Sequence, residues 1–81
     1  MMKLPLEDIQ FPQYRKYSNN KNYFKIYSLL EFEEIQVIGS KHIHRKITAV
    51  QFPEKNHIID LLLLKQDHIL TINREEYERL Y

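Results

Sequence analysis

Two adjacent asparagines, Asn19 and Asn20, constrain the fold of this chain more than any other feature. They separate two short segments rich in tyrosine, phenylalanine and isoleucine, side chains that suit the pleated surface of a strand. Asparagine is the non-glycine residue that best tolerates the positive φ of a type I′ turn, which joins two antiparallel strands tightly. We therefore predict a β-hairpin over residues 13–28, with its turn at the two asparagines.

The register of this hairpin determines which side chains share a face. A turn at the two asparagines places Tyr14 opposite Lys25 and Lys16 opposite Tyr23. Successive side chains of a strand point to opposite faces, so we expect a tyrosine–lysine face and a mainly apolar face. The tyrosine–lysine face is predicted to carry Tyr14, Lys16, Tyr23, Lys25 and Tyr27. The apolar face is predicted to carry Arg15, Tyr17, Phe24 and Ile26.

The segment that follows the hairpin has the terminal signals of a helix. Ser28 and Glu31 have the spacing of a capping box, in which the hydroxyl and the carboxylate bind free amides of the first turn. Gly39, the only glycine in the chain, suits the left-handed residue that ends a helix. The apolar residues between these signals lie on more than one side of such a helix, so its amphipathic pattern is imperfect. We predict a helix over residues 29–38.

The next part of the chain alternates between apolar runs and turn signals. Residues 41–51 predict a strand because apolar and polar side chains alternate along them. Residues 53–56 have the proline and asparagine of a type I turn, which would return the chain as a strand over residues 57–64. The alternative is a helix from Pro53 to Leu64, and the apolar run alone does not distinguish a strand from a helix. We favour the hairpin because Phe52 would be a poor helix N-cap.

The C-terminal segment predicts a last strand and a short helix. Residues 68–72 suit a strand, and Asn73 then has the side chain and the position of a helix N-cap. The chain therefore predicts a single α+β domain over residues 13–81, ordered β-β-α-β-β-β-α, with a mainly antiparallel sheet and two short helices. Residues 1–12, which contain two prolines, are expected to form an extended or weakly ordered lead-in.

Composition argues against several classes of function. With no cysteine among its 81 residues, the chain has no disulfide, no thiolate metal site and no cysteine nucleophile. One glycine is too few for a phosphate-cradling loop or for a serine nucleophile elbow. The longest apolar run has four residues, and the N-terminus has no apolar stretch of signal-peptide length. We expect a cytoplasmic protein that does not enter a membrane, has no enzymatic activity and needs no cofactor.

Two histidines, His42 and His44, have a spacing that can bind a metal. On a strand they point to the same side, as ligands of zinc or copper can. A third ligand would have to come from His57, His68 or an acid, and no spacing in the chain fixes it. We therefore expect no metal centre.

Positive charge is concentrated in two parts of a chain whose net charge is only +1. Residues 9–30 and 35–53 together hold seven lysines and arginines and no acid. Next to tyrosines, such cations suit a surface for single-stranded nucleic acid, because bases stack on aromatic rings while phosphates meet lysines. The alternative, which we favour, is that the tyrosines are half-buried and stabilise the sheet through cross-strand pairs, while the lysines keep it soluble. The candidate binding residues are Tyr14, Lys16, Tyr23, Lys25, Tyr27, His42, His44 and Lys46. Affinity for a nucleic acid would then fall as the salt concentration rises.

Contact with another protein is the hypothesis that the sequence favours over nucleic-acid binding. Apart from Asp60, the run over residues 58–64 is apolar on both faces of the predicted strand, and one side of a small sheet needs fewer apolar residues. The run is either core that is covered on each side, which we favour, or part of an interface. Sheet edges pair readily with other strands, and a small core gains from oligomerisation. The sequence therefore predicts a non-catalytic binding module whose partner is another protein, a second copy of the chain included.

Overall fold

Four consecutive strands, a helix, a fifth strand and a second helix follow one another along residues 9–81, which are the residues that the computed structural model describes. The elements are β1 Gln13–Tyr17, β2 Asn22–Ser28, β3 Glu31–Ile38, β4 Lys41–Thr48, α1 Phe52–Leu63, β5 Ile69–Thr71 and α2 Arg74–Glu78. The α+β class, the antiparallel sheet and the two short helices are confirmed, whereas the predicted order of the elements is wrong. Residues 1–8, most of the predicted lead-in, lie outside the described residues.

The first hairpin has the predicted register, in which Lys16 lies opposite Tyr23. A type I′ turn requires a positive φ at both asparagines. Here Asn20 has a positive φ, of 61°, and Asn19 does not, so the turn is of a different type. The Asn20 N–H donates to the Tyr17 carbonyl oxygen at 3.0 Å. The Asn19 side-chain oxygen accepts the N–H two residues further along at 2.8 Å. The asparagines thus make the turn through one left-handed residue and one side-chain hydrogen bond.

The predicted helix over residues 29–38 is wrong, since this segment forms a tight turn followed by β3. The Ser28 hydroxyl, predicted to cap a helix, accepts the Leu30 N–H at 3.1 Å and stabilises the turn between β2 and β3. Gly39 has a φ of +60°, which it uses in the two-residue turn between β3 and β4. Residues that suit the two ends of a helix therefore serve two β-turns.

β3 lacks the sequence pattern of a strand because both of its faces are covered. The Phe32 side chain is buried on the apolar face, where it packs with residues of α1. The Ile35 side chain is buried on the opposite face, where it packs with residues of α2. A strand that is covered on both faces loses the apolar–polar alternation that would otherwise predict it.

The predicted strand over residues 57–64 and the turn before it are also wrong, because residues 53–63 belong to α1 and Leu64 is its C-cap. The N-cap of α1 is Gln51 and not Phe52, so the objection to a helix does not apply. The Glu54 carboxylate accepts the Gln51 backbone N–H at 3.0 Å, which satisfies a free donor at the start of the helix. Pro53 lies in the first turn, as the alternative interpretation requires.

The remaining predicted elements are present. The strands predicted over residues 41–51 and 68–72 correspond to β4 and β5, both of which are shorter than expected. The Asn73 side-chain oxygen accepts the Glu76 backbone N–H at 2.8 Å and caps α2 as predicted.

The five strands lie in the order β4-β3-β2-β1-β5, and each neighbouring pair is antiparallel. The helices lie on opposite faces of this sheet and give it two cores. The core on the apolar face, which includes α1, consists of Phe24, Ile26, Phe32, Ala49, Ile58, Leu61, Leu62 and Ile69. The core beneath α2 consists of Tyr14, Tyr23, Ile35, Ile72 and Tyr77. Ile9, the first described residue, packs against the core on the apolar face.

Arg15 joins α1 to the sheet through the end of the helix. The residue is only 6% exposed, and its Nε donates to the Leu61 carbonyl oxygen at 2.9 Å. One Nη donates to the Leu62 carbonyl oxygen at 3.3 Å and the other to that of Tyr14 at 2.8 Å. Carbonyls in the last turn of a helix lack partners within it and form the negative end of its dipole, so a buried guanidinium is well placed there. Burial lowers the pKa of Arg15 but leaves the group charged.

Replacement of Arg15 by methionine is expected to lower the free energy of unfolding by about 2–3 kcal/mol, because buried carbonyls lose their donor. Arg74→Met is the matched control, since that guanidinium is exposed and pairs with Glu78 on the surface. Urea denaturation of both variants at neutral pH measures the difference. Equally small changes in the two variants would contradict the role assigned to Arg15.

His57 lies in an aromatic environment between α1 and the sheet. Its ring centroid is 5.4 Å from those of Phe24 and Phe32, and both contacts are edge-on. Its Nε2 lies 3.2 Å from the Tyr17 hydroxyl oxygen. Burial lowers the pKa of His57, and nearby carboxylates offset only part of that effect. The folded protein therefore favours the neutral imidazole.

The free energy of unfolding is expected to decrease as the pH falls below about 6.5, the ordinary histidine pKa. Between that value and the lower pKa of folded His57, the unfolded chain binds more protons, so stability is lost as the pH falls. His57→Gln should reduce this slope, because it removes the buried imidazole. Urea midpoints measured from about pH 5 to about pH 8 provide the comparison. An unaltered slope in His57→Gln would argue that another group is responsible.

Candidate functional site

The side chains predicted to bind a ligand are brought together on one face of the sheet. Lys25 lies opposite Glu33, which in turn lies opposite Lys46, and residues opposite one another across a sheet point to the same face. The tyrosine–lysine face therefore extends from β1 to β4, as the sequence predicts for these side chains. It contains Tyr14, Lys16, Tyr23, Lys25, Tyr27, His42, His44 and Lys46.

The half of this face formed by β1 and β2 is covered by α2. Tyr14 and Tyr23 are each only 8% exposed, and the Tyr14 ring centroid lies 5.4 Å from that of Tyr77. Lys16 forms an ion pair with Glu76 of α2, with 2.8 Å between Nζ and Oε2. Tyr14 and Tyr23 are therefore core residues, and their rings are not available to stack on a base while α2 is in place.

Tyr27 is the half-buried tyrosine of this face, and two lysines lie over its ring. The Nζ atoms of Lys25 and Lys46 are 4.9 Å and 5.2 Å from its ring centroid, within the range of cation–π interactions. Nucleic-acid binding on this face stays a prediction. The part of the face that a nucleic acid could reach is limited to Tyr27, the two lysines and β4. Tyr23→Ala does not test it cleanly, because this substitution removes a core side chain.

The C-terminal residues bind β3 and β4 through a cluster centred on Glu33. Its carboxylate accepts hydrogen bonds from the Tyr77 and Tyr81 hydroxyls. The Tyr81 ring lies 5.1 Å from that of His44, and the His42 Nδ1 lies 2.9 Å from the Leu80 carbonyl oxygen. The end of the chain is thereby fixed on the tyrosine–lysine face.

The hydrogen bonds of this cluster favour the charged form of Glu33. Burial alone would raise the pKa of Glu33, but hydrogen bonds from Tyr77 and Tyr81 hold it below its ordinary value. Burial and the neighbouring carboxylate raise the pKa of Tyr81 to about 12, and the same causes raise the pKa of Tyr77. At neutral pH the carboxylate is thus an acceptor and both phenols are donors.

β4 is the part of the tyrosine–lysine face that α2 leaves open. All of its residues except Ile47 are exposed. It is paired with β3 over its full length of eight residues, from Glu31 opposite Thr48 to Ile38 opposite Lys41, without an irregularity in register. β4 is therefore a regular strand at the edge of the sheet.

Half of the backbone groups of β4 face away from β3. The Val37 N–H donates to the Lys21 carbonyl oxygen at 2.8 Å, on the side away from β4, so Val37 and its opposite residue His42 do not form a hydrogen-bonded pair. At the other end, the Ala49 N–H donates to the Leu30 carbonyl oxygen at 2.7 Å. Leu30 and Ala49 are therefore a hydrogen-bonded pair. Bonded and non-bonded pairs alternate in antiparallel strands. The residues whose backbone groups point outward are therefore His42, His44, Lys46 and Thr48.

We call the outward backbone groups of these four residues the open edge. Within the described part of the chain, no strand pairs with it, because β4 is the first strand in the order of the sheet. Each residue of the open edge presents one N–H donor and one carbonyl acceptor. Chemically, the open edge is a row of hydrogen-bonding groups that an added strand could satisfy.

Residues 9–81 contain no cluster of three histidine, cysteine or carboxylate side chains that would bind a metal ion, and they enclose no pocket. His42 and His44 lie on the same side of β4, as their spacing predicts. Neither helix of this region is long and apolar enough to cross a membrane.

Comparison with known proteins yields no match for this chain: no protein-family model, curated protein or solved structure matches it. Because a fold by itself does not define a function, the function is argued from the geometry of β4 and its surroundings.

Sequence analysis identified three open-edge residues, His42, His44 and Lys46, but not the property that they share. An alternating pattern shows which side chains share a face, and it does not show which way the backbone groups point. That direction depends on the two-residue turn at Gly39, which sets the pairing of β3 with β4. A Gly-Ser pair between two strand-forming segments is the signal that would have revealed this hairpin, and with it Thr48.

Replacement of Tyr81 by phenylalanine is expected to raise the pKa of Glu33, because the carboxylate loses one of its two phenol donors. Tyr27→Phe is the control, since it removes a hydroxyl from the same face. Carboxyl carbon chemical shifts, followed by NMR from about pH 2 to about pH 7, measure the change. Since Glu33 stabilises the folded state above its ordinary pKa, acid unfolding of Tyr81→Phe should begin at a higher pH. An identical Glu33 pKa in both variants would contradict this cluster.

Proposed function

We propose that this protein is a non-catalytic binding module that recognises another protein by adding an extended segment of it to the open edge of β4. In this mode of recognition, backbone hydrogen bonds supply much of the affinity and alternate side chains supply the specificity. The observation that carries the proposal is the row of outward donors and acceptors along a regular, exposed strand.

The contrast between the two edges of the sheet supports this proposal. Proteins commonly protect edge strands by making them very short, by placing proline in them or by bulges. β5, the other edge, has only three residues. β4 has eight residues, contains no proline and is paired with β3 without a bulge. Of the usual protective features, β4 has only its charged side chains.

Exposed apolar side chains lie along β4 and just beyond its end. Ile43 is 41% exposed, whereas Val50, in the link to α1, and Phe52, the first residue of α1, are 69% and 80% exposed. The apolar run over residues 58–64, which suggested a partner in the sequence, supports the proposal less, because its side chains Ile58, Leu61 and Leu62 pack into the core. The case for a partner therefore depends on β4.

Replacement of His44 by proline is expected to weaken binding to the open edge about tenfold or more, which corresponds to about 1.4 kcal/mol. Proline removes an outward donor that β3 does not use, so the sheet should tolerate it. His44→Thr is the matched control, because it also removes the imidazole but keeps the N–H. The probes are three synthetic octapeptides in which valine alternates with glutamate, glutamine or lysine.

The readout is the change in backbone amide signals of isotope-labelled protein during titration with each peptide. We expect changes concentrated at the open edge, present in His44→Thr and lost in His44→Pro, while the signals of α1 and α2 show that both variants are folded. If His44→Pro does not fold, Thr48→Pro with Thr48→Ser as its control provides the same comparison. Binding that is equal in the proline variant and its control would contradict the proposal, as would peptides that leave the edge amides unchanged.

A further inference from the structure

We infer that the segment bound by β4 is acidic, with carboxylates opposite His42, His44 and Lys46. This inference rests on the proposed function and concerns the chemistry of the partner. It follows from the charge of β4, from the way β3 already pairs with it, and from the poor fit of a second copy of the chain.

Three of the four residues with outward backbone groups carry a histidine or lysine side chain, whereas Lys41 and Arg45 belong to the residues bonded to β3. His42, His44 and Lys46 contribute both, and their side chains lie together on the tyrosine–lysine face. A strand added to the open edge would therefore place every second side chain beside one of these three groups. The remaining side chains of that strand would lie on the apolar face, next to Ile43, Arg45 and Ile47. The expected segment alternates acidic and aliphatic residues.

β3 shows which side chains pair well with β4. Residues 35–53 contain no acid, and the carboxylates that pair with β4 come from β3. The Arg45 guanidinium lies 3.0 Å from the Glu34 carboxylate, and the Lys46 ammonium lies 3.5 Å from that of Glu31. The Lys46 side chain remains 61% exposed. A second acidic strand, on the outer side of β4, would repeat the arrangement that already exists on its inner side.

A second copy of the chain fits the open edge poorly. When two copies of β4 pair antiparallel in the register that uses all four outward residues, Arg45 lies opposite its own counterpart. Like charges directly opposite one another destabilise a sheet. The cations that discourage self-pairing favour an acidic partner, which is how charge provides specificity at an edge.

The test compares the affinities of the three octapeptides, each labelled at its N-terminus and measured by fluorescence anisotropy. The glutamate peptide is expected to bind about tenfold more tightly than the glutamine peptide, and the lysine peptide more weakly than both. Raising the salt concentration from about 50 mM to about 500 mM should reduce these differences, because exposed charges are screened. Equal affinities of the glutamate and glutamine peptides, or a preference for lysine, would overturn the inference.

Lys46→Gln is expected to weaken binding of the glutamate peptide about twofold to fivefold and to leave the glutamine peptide unaffected. Lys65→Gln is the matched control, because that exposed lysine follows the end of α1 that Arg15 binds, near β1 and away from β4. Equal effects of the two substitutions would show that the preference reflects net charge alone, and would count against a site on β4.

Failure of this inference is distinguishable from failure of the proposed function. Peptides that shift the open-edge amides equally whatever their charge would overturn the inference and leave the function standing. Peptides that leave those amides unchanged would overturn both. A dimer in sedimentation experiments that His44→Pro disrupts would identify a second copy as the occupant, and a preference for an oligothymidylate over all three peptides would identify a nucleic acid. Either result would overturn the acidic partner.

Discussion

The two helices cover opposite faces of the same strands, and the rest of the structure depends on that placement. α1 covers the apolar face and α2 covers part of the opposite face, so β2 and β3 are buried on both sides. A chain of 81 residues has only these two short helices in its described part, with 12 and 5 residues. Together they leave β4 exposed along nearly its whole length. The open edge itself exists because β4 is the outermost strand and no strand of the described residues pairs with its outer side.

Specific polar contacts hold the helices in these positions. The Arg15 guanidinium binds the carbonyls at the end of α1, where a positive charge also interacts favourably with the helix dipole. On the opposite face, Glu33 accepts from Tyr77 and Tyr81. A five-residue helix is not stable alone in water, so α2 depends on such contacts and on burial of Tyr77. Both sets of contacts join residues that are far apart in the chain.

Local signals in the sequence were sufficient for part of the fold. The register of the first hairpin follows from the asparagine turn, and Asn73 marks the start of α2. The helix predicted over residues 29–38 fails because β3 is buried on both faces, so its apolar residues no longer alternate. Sequence reasoning disfavours α1 because Phe52 is a poor N-cap, whereas the N-cap of the helix is one residue earlier, at Gln51.

The sequence likewise predicts only part of the candidate site. Strand periodicity correctly places Tyr14, Tyr23 and the basic residues of β4 on one face. It contains no information on what covers that face, because the position of α2 depends on contacts such as the pair between Lys16 and Glu76. The hydrogen-bonding direction of β4 likewise depends on its pairing with β3. Both are tertiary properties that single-sequence patterns do not encode.

Native-state hydrogen exchange of the β4 amides tests the central claim most directly, because it reports which N–H groups the sheet uses. The amides expected to exchange rapidly are those of His42, His44, Lys46 and Thr48. The amides expected to be protected by β3 are those of Ile43, Arg45 and Ile47. An alternation of at least about tenfold in exchange rate along the strand would support an open edge. Uniform protection, or protection of the opposite set, would show that the edge is already paired or that the register differs.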